Sequence, residues 1–198
     1  MREFVIEAET LARKLAGLRK YPRAEYEAEA NFDPKNYKPA AVLAPLLWFE
    51  GEWHLFYTRR SSSLMNHSGQ VSFPGGSWDV EDEDLSATAL RESWEETGLR
   101  PEEVRVLGEM PAIGITTHFL VTPVVGIIPW PYPLRLQETE VARAFIVPLS
   151  WLADPANFYT STRIYEGKTY EIIYYQLYDG EKIWGATARI TQELLKLL

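Results

Sequence analysis

The chain has 198 residues, 46% hydrophobic and 24% charged, a balance that suits one globular domain with a substantial core. Its formal net charge of −8 excludes general nucleic-acid binding, which needs a basic stripe, but allows an anionic substrate held through cations. The absence of cysteine excludes disulfides, thiolate catalysis and cysteine-based zinc sites.

Residues 3–19 place Phe4, Ile6, Leu11, Leu15 and Leu18 at helical spacing and predict an amphipathic helix. Residues 21–39 are polar, contain Pro22, Pro34 and Pro39, and read as a linker arm. From Ala40 the apolar runs AAVLAPLLWF and WHLFYT flank Glu50-Gly51-Glu52 and predict a β-hairpin. A loop, the short strand VSF and the turn-rich PGGSWDVEDED lead into a helix over LSATALRESWEETGL, with Asp84 or Ser86 as cap and Gly98 as stop. Ala87, Leu90 and Trp94 are its expected apolar stripe. VRVLGEM, FLVTPVVGII, RAFIVPL, RIYEG and KTYEIIYYQLYDG predict further strands, and GATARITQELLKLL a closing helix. The order predicts an α+β fold, a mixed sheet with helices packed on it. It divides into an N-terminal helix and linker arm over 1–39 and a domain over 40–198. No apolar run reaches the length of a membrane span and the N-terminus lacks a signal-peptide core, so the expected location is the cytoplasm.

Chemistry concentrates in Arg91-Glu92-Ser93-Trp94-Glu95-Glu96. On a helix Glu92 and Glu96 lie one turn apart on the same face, Glu95 stands nearby, and Trp94 is expected to point into the core. Like charges so spaced weaken a bare helix, and a hard divalent cation with oxygen ligands relieves them. A solvated acidic face, with Arg91 paired to Glu95, is the competing reading. The paired glycines of Phe73-Pro74-Gly75-Gly76 just upstream permit close backbone approach, which lets a phosphate reach the glutamates.

Together these segments resemble the box of the Nudix hydrolases, written GX5EX7REUXEEXGU, with Gly76, Glu83, Arg91, Glu92, Glu95, Glu96, Gly98 and Leu99 in the corresponding places. Gly76 to Glu83 is one residue longer than that pattern, and Ser93 stands where a hydrophobic residue is usual. The resemblance implies an α/β/α sandwich with a mixed sheet and a loop–helix–loop catalytic box over the 40–198 domain. It implies hydrolysis of nucleoside diphosphate derivatives, with Mg²⁺ (or Mn²⁺) held by Glu92, Glu95 and Glu96. Arg91 would brace the glutamates by ion pairing.

The run from Thr58 to Gly76, TRRSSSLMNHSGQVSFPGG, resembles the signature of the coenzyme A diphosphatase branch, as do TALRE, FLVTPVVG, VPLSWLADPAN and IWGATA. That implies cleavage of CoA or its derivatives to 3′,5′-ADP and 4′-phosphopantetheine. Met65 departs from the branch, replacing its usual arginine, and favours the alternative, a Nudix enzyme acting on ADP-ribose or NADH. Arg59, Arg60, Ser61, His67, Gln70, Gly75 and Gly76 are the candidate substrate-binding residues; Arg59 or Arg60 offers charge-assisted bonds to phosphate. Arg163 is a further cation that could compensate for Met65. The water-activating base is Glu92 or a carboxylate of the downstream loop, Glu138 or Glu140. His118 and Trp130-Pro131-Tyr132-Pro133 read as structural. The Tyr-rich run over 170–178 alternates like a strand, for core packing or a homodimer face.

Overall fold

A computed structural model describes residues 4–18, 23–24, 33–62, 69–165 and 168–198. In chain order these form α1 (Ala8–Ala16), β1 (Arg23–Ala24), β2 (Lys38–Phe49), β3 (Glu52–Arg60), β4 (Val71–Ser72), β5 (Gly75–Ser77) and α2 (Leu85–Thr97). They continue with β6 (Arg105–Glu109), β7 (Ile113–Gly114), β8 (Phe119–Ile127), β9 (Val141–Pro148), α3 (Leu149–Leu152), β10 (Phe158–Tyr165), β11 (Lys168–Tyr175) and α4 (Gly185–Leu197). The first helix is shorter than its apolar spacing predicts: Phe4 is buried ahead of it, and the helix itself buries Leu11 and Leu15. Among the described residues no helix is long and apolar enough to cross a membrane.

The main sheet is mixed, with β2 running parallel to β8 from Lys38↔Phe119 to Leu46↔Ile127. Its central strands are buried on both faces, which explains their unbroken apolar runs. Along β3, Leu55 and Tyr57 enter a core shared with Leu11, Leu15, Ile190 and Leu194 of α1 and α4. Phe56 turns the other way, to a core with Leu43, Ala89 and Val124 under α2. Helices thus cover both faces, the expected three-layer α+β arrangement.

The hairpin of β2 and β3 builds the seat of the site. Glu50 and Gly51 both take positive φ, 50° and 87°, the two-residue turn that matches strand twist. The strands then pair only from Phe49↔Glu52 to Leu46↔Leu55. Odd-numbered residues of β2 turn their N–H toward β3, as Leu43 N–H does when it donates to Pro74 O at 2.8 Å. Pro45 has no N–H to give, and pairing stops there. Into the opened edge come β4, which pairs with β3 at Thr58↔Ser72, and β5, which pairs with β2 from Ala40↔Ser77 to Val42↔Gly75. Phe73-Pro74-Gly75-Gly76 is therefore wedged between the two strands. The sequence suggests only a loop after Pro74, but its glycines make a strand there.

Candidate active site

Helix α2 delivers the glutamates to that wedge. The Asp84 carboxylate caps its start by accepting from Ala87 N–H at 2.8 Å, and Gly98 ends it at φ 75°, with its N–H donating to Trp94 O at 2.8 Å. The buried face is Thr88, Ala89, Ser93, Glu96 and Thr97, not the expected stripe of Ala87, Leu90 and Trp94. Trp94 is 55% exposed, which corrects its expected place in the core. Small residues suit the face packed on β2 and β5, and their hydroxyls are satisfied within the helix: Ser93 donates to Ala89 O and Thr97 to Ser93 O, each at 2.6 Å.

Both loop glycines are required by space. A Cβ on Gly75, whose φ is 152°, would fall 2.3 Å from Ala41 O; one on Gly76 would fall 2.5 Å from the Glu92 carboxylate. Gly75 N–H donates to Glu96 Oε2 at 3.3 Å, so Glu92 and Glu96 both turn onto the same two residues. Burial raises the pKa of half-buried Glu92, against the lowering effect of Arg91. Burial pushes Glu96 up to about 8, against Arg60 at 3.6 Å and the Gly75 N–H. The charges of Glu92 and Glu140 raise Glu96 further, and Glu140 acts likewise on Glu92. Glu95 is exposed and accepts from Arg91 at 3.4 Å.

Arg91 braces the box. Its guanidinium grips Asp82 bidentately at 2.8 and 2.9 Å, and donates to Glu92 Oε1 at 2.9 Å and Ser77 O at 3.1 Å. Those bonds hold the Asp82 carboxyl well below its usual range, helped by donation from Asp79 N–H and Thr88. The box acid is thus Asp82, and exposed Glu83 is the wrong assignment. With Asp82 the interval from Gly76 returns to five residues, and the extra residue lies between Asp82 and Arg91. Asp82→Asn should lower unfolding stability by about 1–3 kcal/mol, because it removes the charge from the carboxylate that Arg91 grips bidentately. Glu83→Gln should stay within about 0.5 kcal/mol. Urea unfolding of both variants checks the pair.

The remaining candidates separate. Arg60 and Gln70 line a cavity of about 320 Å³ together with Gly75, Gly76, Phe119 and Trp184. Arg59 turns away to buried Glu181 at 3.2 Å, which Arg143 also holds at 3.0 Å. Ser61 is buried, with its N–H donating to Glu140 O at 2.7 Å. His67 and Met65 lie outside the described residues. Among the described residues no three His, Cys, Asp or Glu side chains gather as a ready metal cage. Glu92 and Glu96 nevertheless fit a hard divalent cation: they are oxygen donors turned to one place, in surroundings that oppose their negative charge. Sequence spacing gave no sign of Glu181 or Arg143; Trp184 lies in the IWGATA run, without a role assigned to it.

Residues 37–166 match the family described as NUDIX domain. The chain belongs to the Nudix family. It is similar to the "Uncharacterized Nudix hydrolase NudL" of Cronobacter sakazakii, 41% identical over 159 residues, covering 80% of this chain and 82% of that protein. Its similarity to the protein of the same name from Shigella flexneri is 37% over 166 residues, covering 84% and 85%. Among solved structures it is similar to a C. elegans Ap4A hydrolase binary complex, at 19% identity, TM-score 0.49, over 56% of this chain and 80% of that chain. This Nudix chain is a hydrolase of phosphoanhydride bonds in nucleoside diphosphate derivatives. Nudix hydrolases generally use divalent metal ions.

Proposed function

We propose that the chain hydrolyses the diphosphate linkage of coenzyme A or its derivatives with Mg²⁺ or Mn²⁺, releasing 3′,5′-ADP and 4′-phosphopantetheine. The observation that carries the site is the wedge that turns Glu92 and Glu96 onto Gly75-Gly76 at the edge of a 320 Å³ cavity. Glu92, Glu95 and Glu96 would hold the cation, which when bound screens phosphoryl charge and acidifies a water. Glu92 or Glu140 would take the proton of an attacking water as its oxygen joins phosphorus and the bridging P–O bond breaks, the other phosphate leaving as an anion. Arg60, already facing Glu96, is placed to grip a phosphate oxygen.

Support for CoA comes from the run Thr58–Gly76: Arg60, Gln70, Ser72 and Phe73 of that run line the cavity. The cavity's apolar lining, including Val42, Phe119 and Trp184, suits an organic group attached to the diphosphate. Turnover should be compared for CoA, ADP-ribose, NADH and nucleoside triphosphates with Mg²⁺. We expect kcat/KM for CoA to exceed the others; fast turnover of another member with none of CoA removes the CoA assignment and leaves the Nudix chemistry.

A further inference from the structure

One face of the hairpin β10–β11 is built unlike an ordinary solvated surface. The register sets Tyr159 opposite Tyr174, Ser161 opposite Ile172 and Arg163 opposite Tyr170, so these six residues share a face. The Trp184 ring lies parallel to that of Tyr174, with centroids 5.8 Å apart, and Tyr159 also stacks on Tyr174 at 5.5 Å. Lys182 Nζ stands 5.1 Å from the centre of the Tyr174 ring. Arg163, Lys182, Ile172, Tyr174 and Trp184 line a cleft of about 340 Å³.

The cations of this cleft differ from the arginines around the glycine loop. Arg59, Arg60, Arg91 and Arg143 each face a carboxylate. Arg163 and Lys182 are exposed, and neither has an ion-pair partner among the described residues. Among the described residues, the catalytic cavity has one arginine or lysine in its lining, Arg60, and that one faces Glu96. A substrate with a phosphate beyond its diphosphate therefore needs cations elsewhere. Trp184 lines both spaces, so cavity and cleft share a wall.

We propose that the cleft of Arg163 and Lys182 is a second phosphate subsite, which takes a phosphate monoester on the nucleoside end of a substrate whose diphosphate lies on the glycine loop. The inference rests on the diphosphate reading above. Arg163 and Lys182 supply charge-assisted bonds, and the aromatic floor keeps water from one side of the anion.

The test is calorimetric binding of adenosine 3′,5′-bisphosphate and adenosine 5′-monophosphate to the wild type, Arg163→Met and Lys182→Met. Methionine keeps an apolar stem over the rings while removing the charge. The wild type should prefer the bisphosphate, and each substitution should weaken bisphosphate binding by about tenfold while leaving the monophosphate unchanged. A wild type without that preference, a bisphosphate affinity untouched by both substitutions, or equal weakening of both ligands overturns the subsite. Hydrolysis is not the readout, so failure to cleave CoA would remove the proposed function and would be seen separately.

Discussion

Glu96→Gln should abolish CoA turnover, by at least about 10²-fold, and should stabilise the metal-free fold at neutral pH. Glu96 is 3% exposed, and burial pushes its carboxyl from 4.5 to about 8. The folded chain therefore binds a proton more tightly than the unfolded chain does. Between about pH 4.5 and 8 the folded state holds more protons, so the stability from protonated Glu96 is present at low pH and lost as pH rises. Thermal unfolding of the metal-free wild type should show Tm falling across that window, with a flatter profile for Glu96→Gln. Adding Mg²⁺ should raise Tm of the wild type at pH 8 and leave the variant nearly unchanged. Full activity in Glu96→Gln would defeat its assignment as a metal ligand.

Alanine at the two neighbouring glycines should fail in opposite ways. At Gly76 the new Cβ meets the Glu92 carboxylate at 2.5 Å, a side-chain end that can swing aside. Gly76→Ala should keep the fold and lower kcat by about 10²-fold, because Glu92 is displaced from the loop. At Gly75 the Cβ meets Ala41 O at 2.3 Å and Val42 Cα at 2.6 Å, backbone that cannot yield, and φ is 152°. Gly75→Ala should therefore destabilise the chain by roughly 2–3 kcal/mol or more, through overpacking and backbone strain. Urea unfolding and steady-state kinetics on both variants separate the outcomes; equal effects at the two positions would contradict the wedge.

The site's outline was legible because its parts are local in sequence. Glu92 and Glu96 are one helical turn apart, and the glycines that seat them precede the same helix. Local pattern misleads where tertiary packing overrides it. Trp94 belongs to the core by hydrophobicity, yet the face opposite the glycine strand has room only for Ala89, Ser93 and Thr97. Glu83 suits the spacing to Arg91, but the loop turns Asp82 inward, where Arg91, Thr88 and Asp79 hold it. The strand at Gly75–Ser77 was hidden because glycine carries no strand signal; the gap left by Pro45 in the hairpin creates it. Glu181, which joins Arg59 to Arg143, reaches the site from a distant segment and had no motif to mark it; Trp184, which walls the cavity, lies in IWGATA, but that run gives no sign of where it folds.

The central claim is that the α2 carboxylates facing the glycine loop direct hydrolysis to the diphosphate of CoA. It is tested most directly by incubating the chain with CoA and Mg²⁺ and identifying the products by mass spectrometry. Equal amounts of 3′,5′-ADP and 4′-phosphopantetheine, formed only with the cation, are the expected result. Intact CoA, or release of its 3′-phosphate with the diphosphate unbroken, would contradict it.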